Sequence, residues 1–292
     1  MRQSNTIFLG MLLNNEVLNA FRVSGKPKNF GGRVRDPGLN EAFRSAGGIT
    51  ELARRLGISQ PSVSNWIRVP AERVIAVEAA TGIARDKLRP DLYGDSREIS
   101  SEIDEIDAAR ASEYALIAAT LAKAPSTDFL KRIGDLRADP SPLGLLHAEL
   151  ADAASKTSAE HVEREFFDLF IGLGRGELLP YGSYYLTGFL HERPLARLRG
   201  DLTELGIERA KSVHEPEDHV SILFELMAGL ASGRLPAPEG TDRKIFERHI
   251  KPWAGRFFYD LENAKSAKFY RRVGTLGRVF TEIEAEAFSL AA

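Results

Sequence analysis

No segment of this 292-residue sequence alternates apolar and polar residues with a period of two. A half-buried strand needs that alternation, because its successive side chains point to opposite faces. From about Leu39 onward the apolar spacing is three and four residues. Val220, Leu223, Met227 and Leu230, for example, gather on one face of a helix. Breakers interrupt the pattern at "ADPSPLG", "GLGRGELLP", "HERP", "HEPED", "SGRLPAPEG" and "KPW". The sequence therefore predicts an all-α chain, with a small module followed by a larger one.

Charge marks where the modules meet. Residues 1–35 carry six Lys/Arg against Glu16, and "SGKPKNFGGRVRDPG" (24–38) is aperiodic and rich in Gly and Pro, so residues 1–38 are expected to form a flexible basic arm. Residues 94–113 carry seven acids against Arg97 and Arg110. Residues 94–110 read as an acidic linker between a module at 39–93 and one at 111–292. Cysteine is absent, which excludes disulfides, thiolate zinc sites and cysteine nucleophiles and fits a reducing cytoplasm. No stretch reaches the ~18 apolar residues that span a bilayer. The opening "MRQSNTIFLGMLLNNEVLNAF" lacks a small-residue cleavage site and a twin-arginine pair, so neither export nor membrane insertion is expected.

"ITELARRLGISQPSVSNWI" (49–67) has the grammar of two helices joined by a tight turn. Ile49, Leu52, Ala53 and Leu56 make the apolar face of the first, and Gly57 supplies the left-handed residue that ends it. Ser59 is a natural N-cap for the second, with Pro61 harmless in its first turn. Val63, Trp66 and Ile67 are expected to pack inward, leaving Gln60, Ser62, Ser64, Asn65 and Arg68 exposed. Gln and Asn pair with adenine, Arg with guanine or phosphate, and serine with phosphate. With the following "VPAERVIAVEAATGIARDKLRPDLYGD", this stretch resembles the YdaS-like branch of Cro/CI-type helix-turn-helix domains over about 39–95. That resemblance implies DNA binding through those five residues. The "WIRVPAE" link is shorter than is usual in that branch.

In the larger module, "EREFFDLFIGLGRGELLPYGSYYLTGFL" (163–190) concentrates aromatic residues. Phe166 and Phe170 share a helical face, and Ser183 is expected to cap the helix opened by Tyr184 and Tyr185. Tyr181 sits between Pro180 and Gly182 in a turn, where a ring tends to be presented rather than buried. In "HEPEDHVSILFELM" (214–227), Pro216 reads as the first helical position, with Glu217 and Asp218 in the first turn. A metal site is disfavoured there, because His214 and His219 are five apart around a proline with no thiolate nearby. No nucleophile or phosphate-binding loop accompanies the cluster, so the chain does not read as an enzyme.

The order "FFDLFIG", "LLPYGSYYL", "EPEDHVSILFELMAGL" and "FERHIKPWAGRFFYDLENAKSAKFYRRVGTLGRVFTEIE" resembles the TorD/DmsD family over about 110–290. These are all-α cytoplasmic chaperones of molybdenum-cofactor oxidoreductases. They bind the twin-arginine leader of the apo-enzyme and delay export until the cofactor is inserted. The resemblance implies a peptide surface of Phe166, Phe170, Pro180, Tyr181, Ser183, Tyr185, Glu215, Pro216, Asp218 and His219, with no cofactor of the chaperone's own. Phe166 stands where the family often has tyrosine. Glu215 and Asp218 would accept forked bonds from leader arginines, and the aromatics would hold its apolar stretch. The alternative is a transcription regulator in which the TorD-like domain senses client peptide.

Overall fold

The computed structural model describes residues 20–23, 35–93, 105–137 and 139–290. They fall into two compact units, residues 35–93 in one and all the others in the second.

The small unit is helical throughout. Asp36 caps α1 (Pro37–Ala46) by accepting from the Gly38 amide at 2.9 Å. A short turn leads to α2 (Ile49–Leu56), which ends at Gly57 with φ 66°, a conformation that penalises a Cβ. Ser59 then caps α3 (Gln60–Ser64). A 3₁₀ turn (Ala71–Arg73) precedes α4 (Val74–Thr81), α5 (Arg85–Leu88) and α6 (Pro90–Tyr93). Leu39, Leu52, Val63, Val69, Val74, Val77 and Leu88 make a separate core, with Trp66 packed at its edge.

The larger unit opens with β1 (Phe21–Val23). It continues through α7 (Glu105–Ala122), α8 (Thr127–Gly134), α9 (Pro142–Ser155) and α10 (Ala159–Phe166), which runs into a π turn (Phe167–Ile171). Then come α11 (Gly182–Thr187), α12 (Arg193–Glu204), β2 (Ile207–Arg209) and α13 (Val220–Ala231). The chain ends in α14 (Thr241–Ile245) with a second π turn (Phe246–Ile250), α15 (Ala254–Asn263) and α16 (Phe269–Leu290).

Helix α13 is the axis of this unit, buried on every side from Val220 to Gly229. Its Phe224 meets Tyr114 of α7 edge-on at 5.2 Å, and Tyr114 meets Phe280 of α16 at 4.7 Å. The Tyr114 hydroxyl donates to buried Glu284 at 2.9 Å, and Arg110 grips the same carboxylate at 2.8 Å.

Three expectations need correction. Residues 21–23 are not arm: β1 pairs antiparallel with β2, Phe21 opposite Arg209 and Val23 opposite Ile207. A three-residue strand is too short to show alternation, so the sequence pattern carried no sign of it. Ala20 is fully buried, and its amide donates to Glu225 at 2.7 Å. Residues 105–110 are not linker but the first turns of α7, where Asp107 and Arg110 pair at 2.6 Å across i,i+3. Pro37 and Gly38, expected as the end of the arm, are the first residues of helix α1. The remainder of the arm before residue 35 and the linker at 94–104 lie outside the described residues.

Candidate peptide-binding site

The site is built where two chain segments cross. Tyr181 and His219 form an isolated antiparallel bridge. The Gly182 amide donates to the Asp218 carbonyl at 2.9 Å, and the Val220 amide to the Pro180 carbonyl at 2.9 Å. The crossing holds the starts of α11 and α13 side by side. A Cβ on Gly182 would stand 2.9 Å from the Trp253 ring nitrogen, so only glycine lets α11 lie against that indole. Trp253 is fixed in turn by its Nε1–H, which donates to the His249 carbonyl at 2.6 Å.

Asp218 is 3% exposed. Its Oδ2 accepts from the Ser183 amide at 2.8 Å, so it caps α11 from a distant part of the sequence. Its Oδ1 and the Ser183 hydroxyl are buried without hydrogen-bond partners. This corrects one expectation, that Ser183 is the cap; the Asp218 carboxylate lies buried against the Ser183 amide instead of standing in the open. Pro216 also precedes its helix, because α13 starts at Val220 with His219 as N-cap.

His219 is buried, with Nδ1 facing the Ser221 amide at 3.2 Å and the Ser221 hydroxyl at 2.7 Å. An Nδ1 that accepts the amide proton carries none of its own, and burial pulls the imidazole down to about 4 despite the carboxylates of Glu215 and Asp218. Glu217 is likewise buried and stays ionised. Burial pushes it up, but backbone hydrogen bonding and Arg199 at 2.8 Å, with Arg209 at 3.2 Å, outweigh that and hold it below the usual carboxylate range.

Above this floor lies the accessible part. The half-buried Tyr181 ring stands edge-on to His219 at 5.0 Å, and its hydroxyl donates to exposed Glu215 at 2.7 Å. Burial first, and then that carboxylate, push the Tyr181 hydroxyl well above its ordinary value, which keeps it a neutral donor. Residues of α11 also line a cleft of about 310 Å³, with Arg175, Glu177, Tyr184, Tyr185, Arg256 and Asp260 among its walls. Tyr185 donates to Asp260 at 3.0 Å and packs on Trp253 at 5.6 Å.

The expected site is thus partly assembled. Tyr181, Tyr185, Glu215 and Pro216 reach solvent, whereas Pro180, Ser183, Asp218 and His219 are buried beneath them. Phe166 and Phe170 stack with each other at 5.0 Å and with Tyr270 at 5.9 and 5.5 Å, an aromatic group separate from the Tyr181–His219 pair.

Sequence reasoning missed the exposed apolar residues of 167–190, of which Leu186 lines the cleft. Phe167, Ile171, Leu173, Leu186, Phe189 and Leu190 are all exposed, Leu173 at 97% and Phe189 at 70%. The signal was present in "IGLGRG" and "TGFL", where apolar residues follow or adjoin left-handed glycines that no helix buries.

The small unit presents Gln60, Ser62, Asn65 and Arg68 as exposed, but Ser64 is half-buried, and its carbonyl accepts from Arg35 at 3.1 Å. Ser62 is tied to the cap, its hydroxyl 2.7 Å from that of Ser59. Ile67 is 55% exposed rather than packed inward. Helix α3 stops at Ser64, and the short link to Val69 turns Ile67 outward, its carbonyl taken by the Asp36 amide at 2.7 Å.

Comparison with known proteins agrees with both units. Residues 136–259 match the family model of the nitrate reductase delta subunit, and residues 39–97 that of the bacterial toxin YdaS. The small unit thus resembles a YdaS domain and the larger one the TorD-type chaperones. The TorD-type unit is 29% identical over 102 residues to the chaperone protein TorD of Vibrio cholerae, which is 32% of this chain and 46% of that protein. It is 26% identical over 132 residues to a probable Tat proofreading chaperone DmsD of Haemophilus influenzae, 44% of this chain and 63% of that one. The YdaS-type unit is 43% identical over 63 residues to the putative transcriptional regulator YdaS of Escherichia coli, 18% of this chain and 64% of that protein. The chain therefore spans about half to two thirds of the length of these relatives. Among the described residues of the TorD-type and YdaS-type units there is no helix long and apolar enough to cross a membrane and no metal-ligating cluster.

Proposed function

We propose that this chain is a cytoplasmic maturation chaperone that binds the twin-arginine leader of an apo-molybdoenzyme and holds it back from export until the molybdenum cofactor is in place. The observation that carries this reading is the Tyr181–Glu215 pair standing at one end of α11, with exposed Leu186, Phe189 and Leu190 at the other. A leader offers guanidinium groups followed by an apolar stretch. Glu215 supplies the carboxylate, and the α11 surface supplies the apolar area. The two lie roughly one short helix apart, about 9 Å along the axis.

In calorimetric titration with a twin-arginine peptide, Glu215→Ala should weaken binding by about 10- to 100-fold, the range for losing a charge-assisted bond of about 1.5–3 kcal/mol. Phe189→Ser should also weaken it, and neither variant should lower the melting temperature by more than a surface change does. Unchanged affinity in both variants would sink the reading.

A second reading, a DNA-binding regulator, rests on exposed Gln60 at the start of α3 and exposed Asn65 and Arg68 just beyond its end. With five helical residues, α3 is only about 7.5 Å long, so few base contacts are within its reach. If the module binds DNA, mobility shifts should fade with rising salt, and Arg68→Ala should weaken binding or relax its sequence preference. Absence of any salt-dependent shift at low ionic strength would remove this reading.

A further inference from the structure

The loop after the first π turn is built to place one arginine. In "IGLGRGE" (171–177), Gly172 and Gly174 adopt φ of 62° and 91°. A Cβ on Gly172 would collide with the Arg175 carbonyl, so the turn closes only with glycine there. The Glu177 and Leu178 amides donate back to the carbonyls of Asp168 and Leu169 at 3.1 and 2.8 Å, which pins the end of the loop to the π turn. Arg175 reaches α11, where its guanidinium donates to the Tyr184 hydroxyl at 2.6 Å and lies 5.2 Å from the centre of that ring. A second arginine, Arg256 of α15, lies 5.9 Å from the ring centre of Tyr185. Both line the cleft of about 310 Å³. A planar guanidinium stacked on a ring keeps its forked donors aimed in one direction.

The polar groups left over in this cleft are mostly donors. Both arginines are exposed, and neither forms an ion pair among the described residues. The Tyr184 hydroxyl accepts from Arg175 and so keeps its own hydrogen to donate. The acids of the cleft are already engaged. Glu177 accepts from the Lys265 and Ser266 amides at 2.7 and 3.2 Å, one on each oxygen, and Asp260 accepts from Tyr185 at 3.0 Å. One Asp260 oxygen therefore stands against most of the N–H groups of two guanidiniums and a phenol. Such a lining favours a negatively charged acceptor, because each guanidinium can fork onto two oxygens of a carboxylate or phosphate.

We propose that this cleft is an oxyanion site, formed by Arg175, Arg256 and the Tyr184 hydroxyl, and that it takes the carboxylate of an acidic side chain on the bound client peptide. Exposed Leu186 lines the same cleft, so a chain that covers Leu186 brings its neighbouring side chains to these donors. The assignment to a client carboxylate rests on the leader-binding reading, whereas the oxyanion site itself does not. It adds a rule of sign to recognition. The arginines of a leader are repelled by Arg175 and Arg256 and drawn to Glu215, while an acid is drawn to the cleft.

The test is calorimetric titration of the full chain, an Arg175→Gln/Arg256→Gln variant, and Arg197→Gln as a control at an exposed arginine outside the cleft. The probes are twin-arginine peptides with one glutamate stepped through the positions after the apolar stretch, the same peptide with glutamine there, and inorganic phosphate. At one of these positions the wild-type chain should bind the glutamate peptide about tenfold tighter than the glutamine one, which is what two exposed, well-oriented charge pairs contribute together. In the double variant that preference should vanish, while affinity for the glutamine peptide and the melting temperature stay unchanged. Phosphate bound by the wild type and lost in the double variant, with no preference between peptides, would keep the oxyanion site but overturn its assignment to a client carboxylate. The same phosphate result with no peptide bound at all would keep the site and retire the leader reading. Equal binding of all the peptides, with no phosphate bound, would overturn the site and leave the leader reading standing. An equal loss of preference in Arg197→Gln would assign it to overall charge and overturn the site as well.

Discussion

Asp218→Ala is expected to destabilise the TorD-type unit by about 2 kcal/mol, from a range of about 1.5–3 kcal/mol for a hydrogen bond to a charged group. The substitution leaves the Ser183 amide buried at the start of α11 with no acceptor, and it removes the side-chain half of the crossing between the two segments. A value near the middle of the range is expected because Asp218 Oδ1 has no partner, so burying this carboxylate already carries a desolvation cost that alanine avoids. Asp218→Asn keeps an oxygen that can accept from Ser183 and loses only the charge facing the helix start, so it should cost about 0.3–1 kcal/mol. Urea titrations of both variants would measure the difference. Since Tyr181 is carried by the same crossing, Asp218→Ala should also weaken leader binding, in proportion to the exchange it induces at residues 181–187. Full stability in Asp218→Ala would mean that the backbone bridge alone holds the crossing.

Much of this was legible in the sequence, and the failures have particular causes. The helices could be read because three- and four-residue apolar spacing, with Gly57 and Ser59 between α2 and α3, is local information. The turn position of Tyr181 was legible as one that keeps part of the ring near water, and the ring is half-buried there. The capping contact of Asp218 was not legible because its partner, the Ser183 amide, lies 35 residues away in sequence, and a cap supplied across the fold leaves no local pattern. The same holds for β1, whose pairing residues come from 207–209. The apolar patch at 167–190 was hidden for the opposite reason: aromatic and aliphatic residues at helical spacing usually form core, and only the fold reveals which of them stay uncovered.

Acid is expected to open the site before it unfolds the rest, and His219 sets the pH. Its imidazole ordinarily takes a proton near 6.5, but burial lowers it to about 4 in the folded chain. Between those values the unfolded chain binds a proton that the folded chain refuses. The contribution of His219 is therefore complete above pH 6.5 and falls as pH drops toward 4, by about 3 kcal/mol in total at 1.36 kcal/mol for each unit. Glu217 adds to the loss further down. Its folded value is depressed below the usual carboxylate range, so its contribution is present above the unfolded value and disappears as pH falls through the folded one. The Arg199 and Arg209 contacts then lose their charged partner. Denaturation followed at intervals from pH 7.5 to 4 should show this slope in the wild type. His219→Asn, which retains a side-chain acceptor for the Ser221 amide, should make the slope shallower over pH 6.5 to 4, leaving the share of His249, whose imidazole burial also lowers. Hydrogen exchange at pH 5 should rise first at residues 180–183 and 217–221, because the imidazolium can no longer accept from Ser221 and the start of α13 is released beneath Tyr181. An identical slope in wild type and His219→Asn would assign the acid sensitivity to other groups.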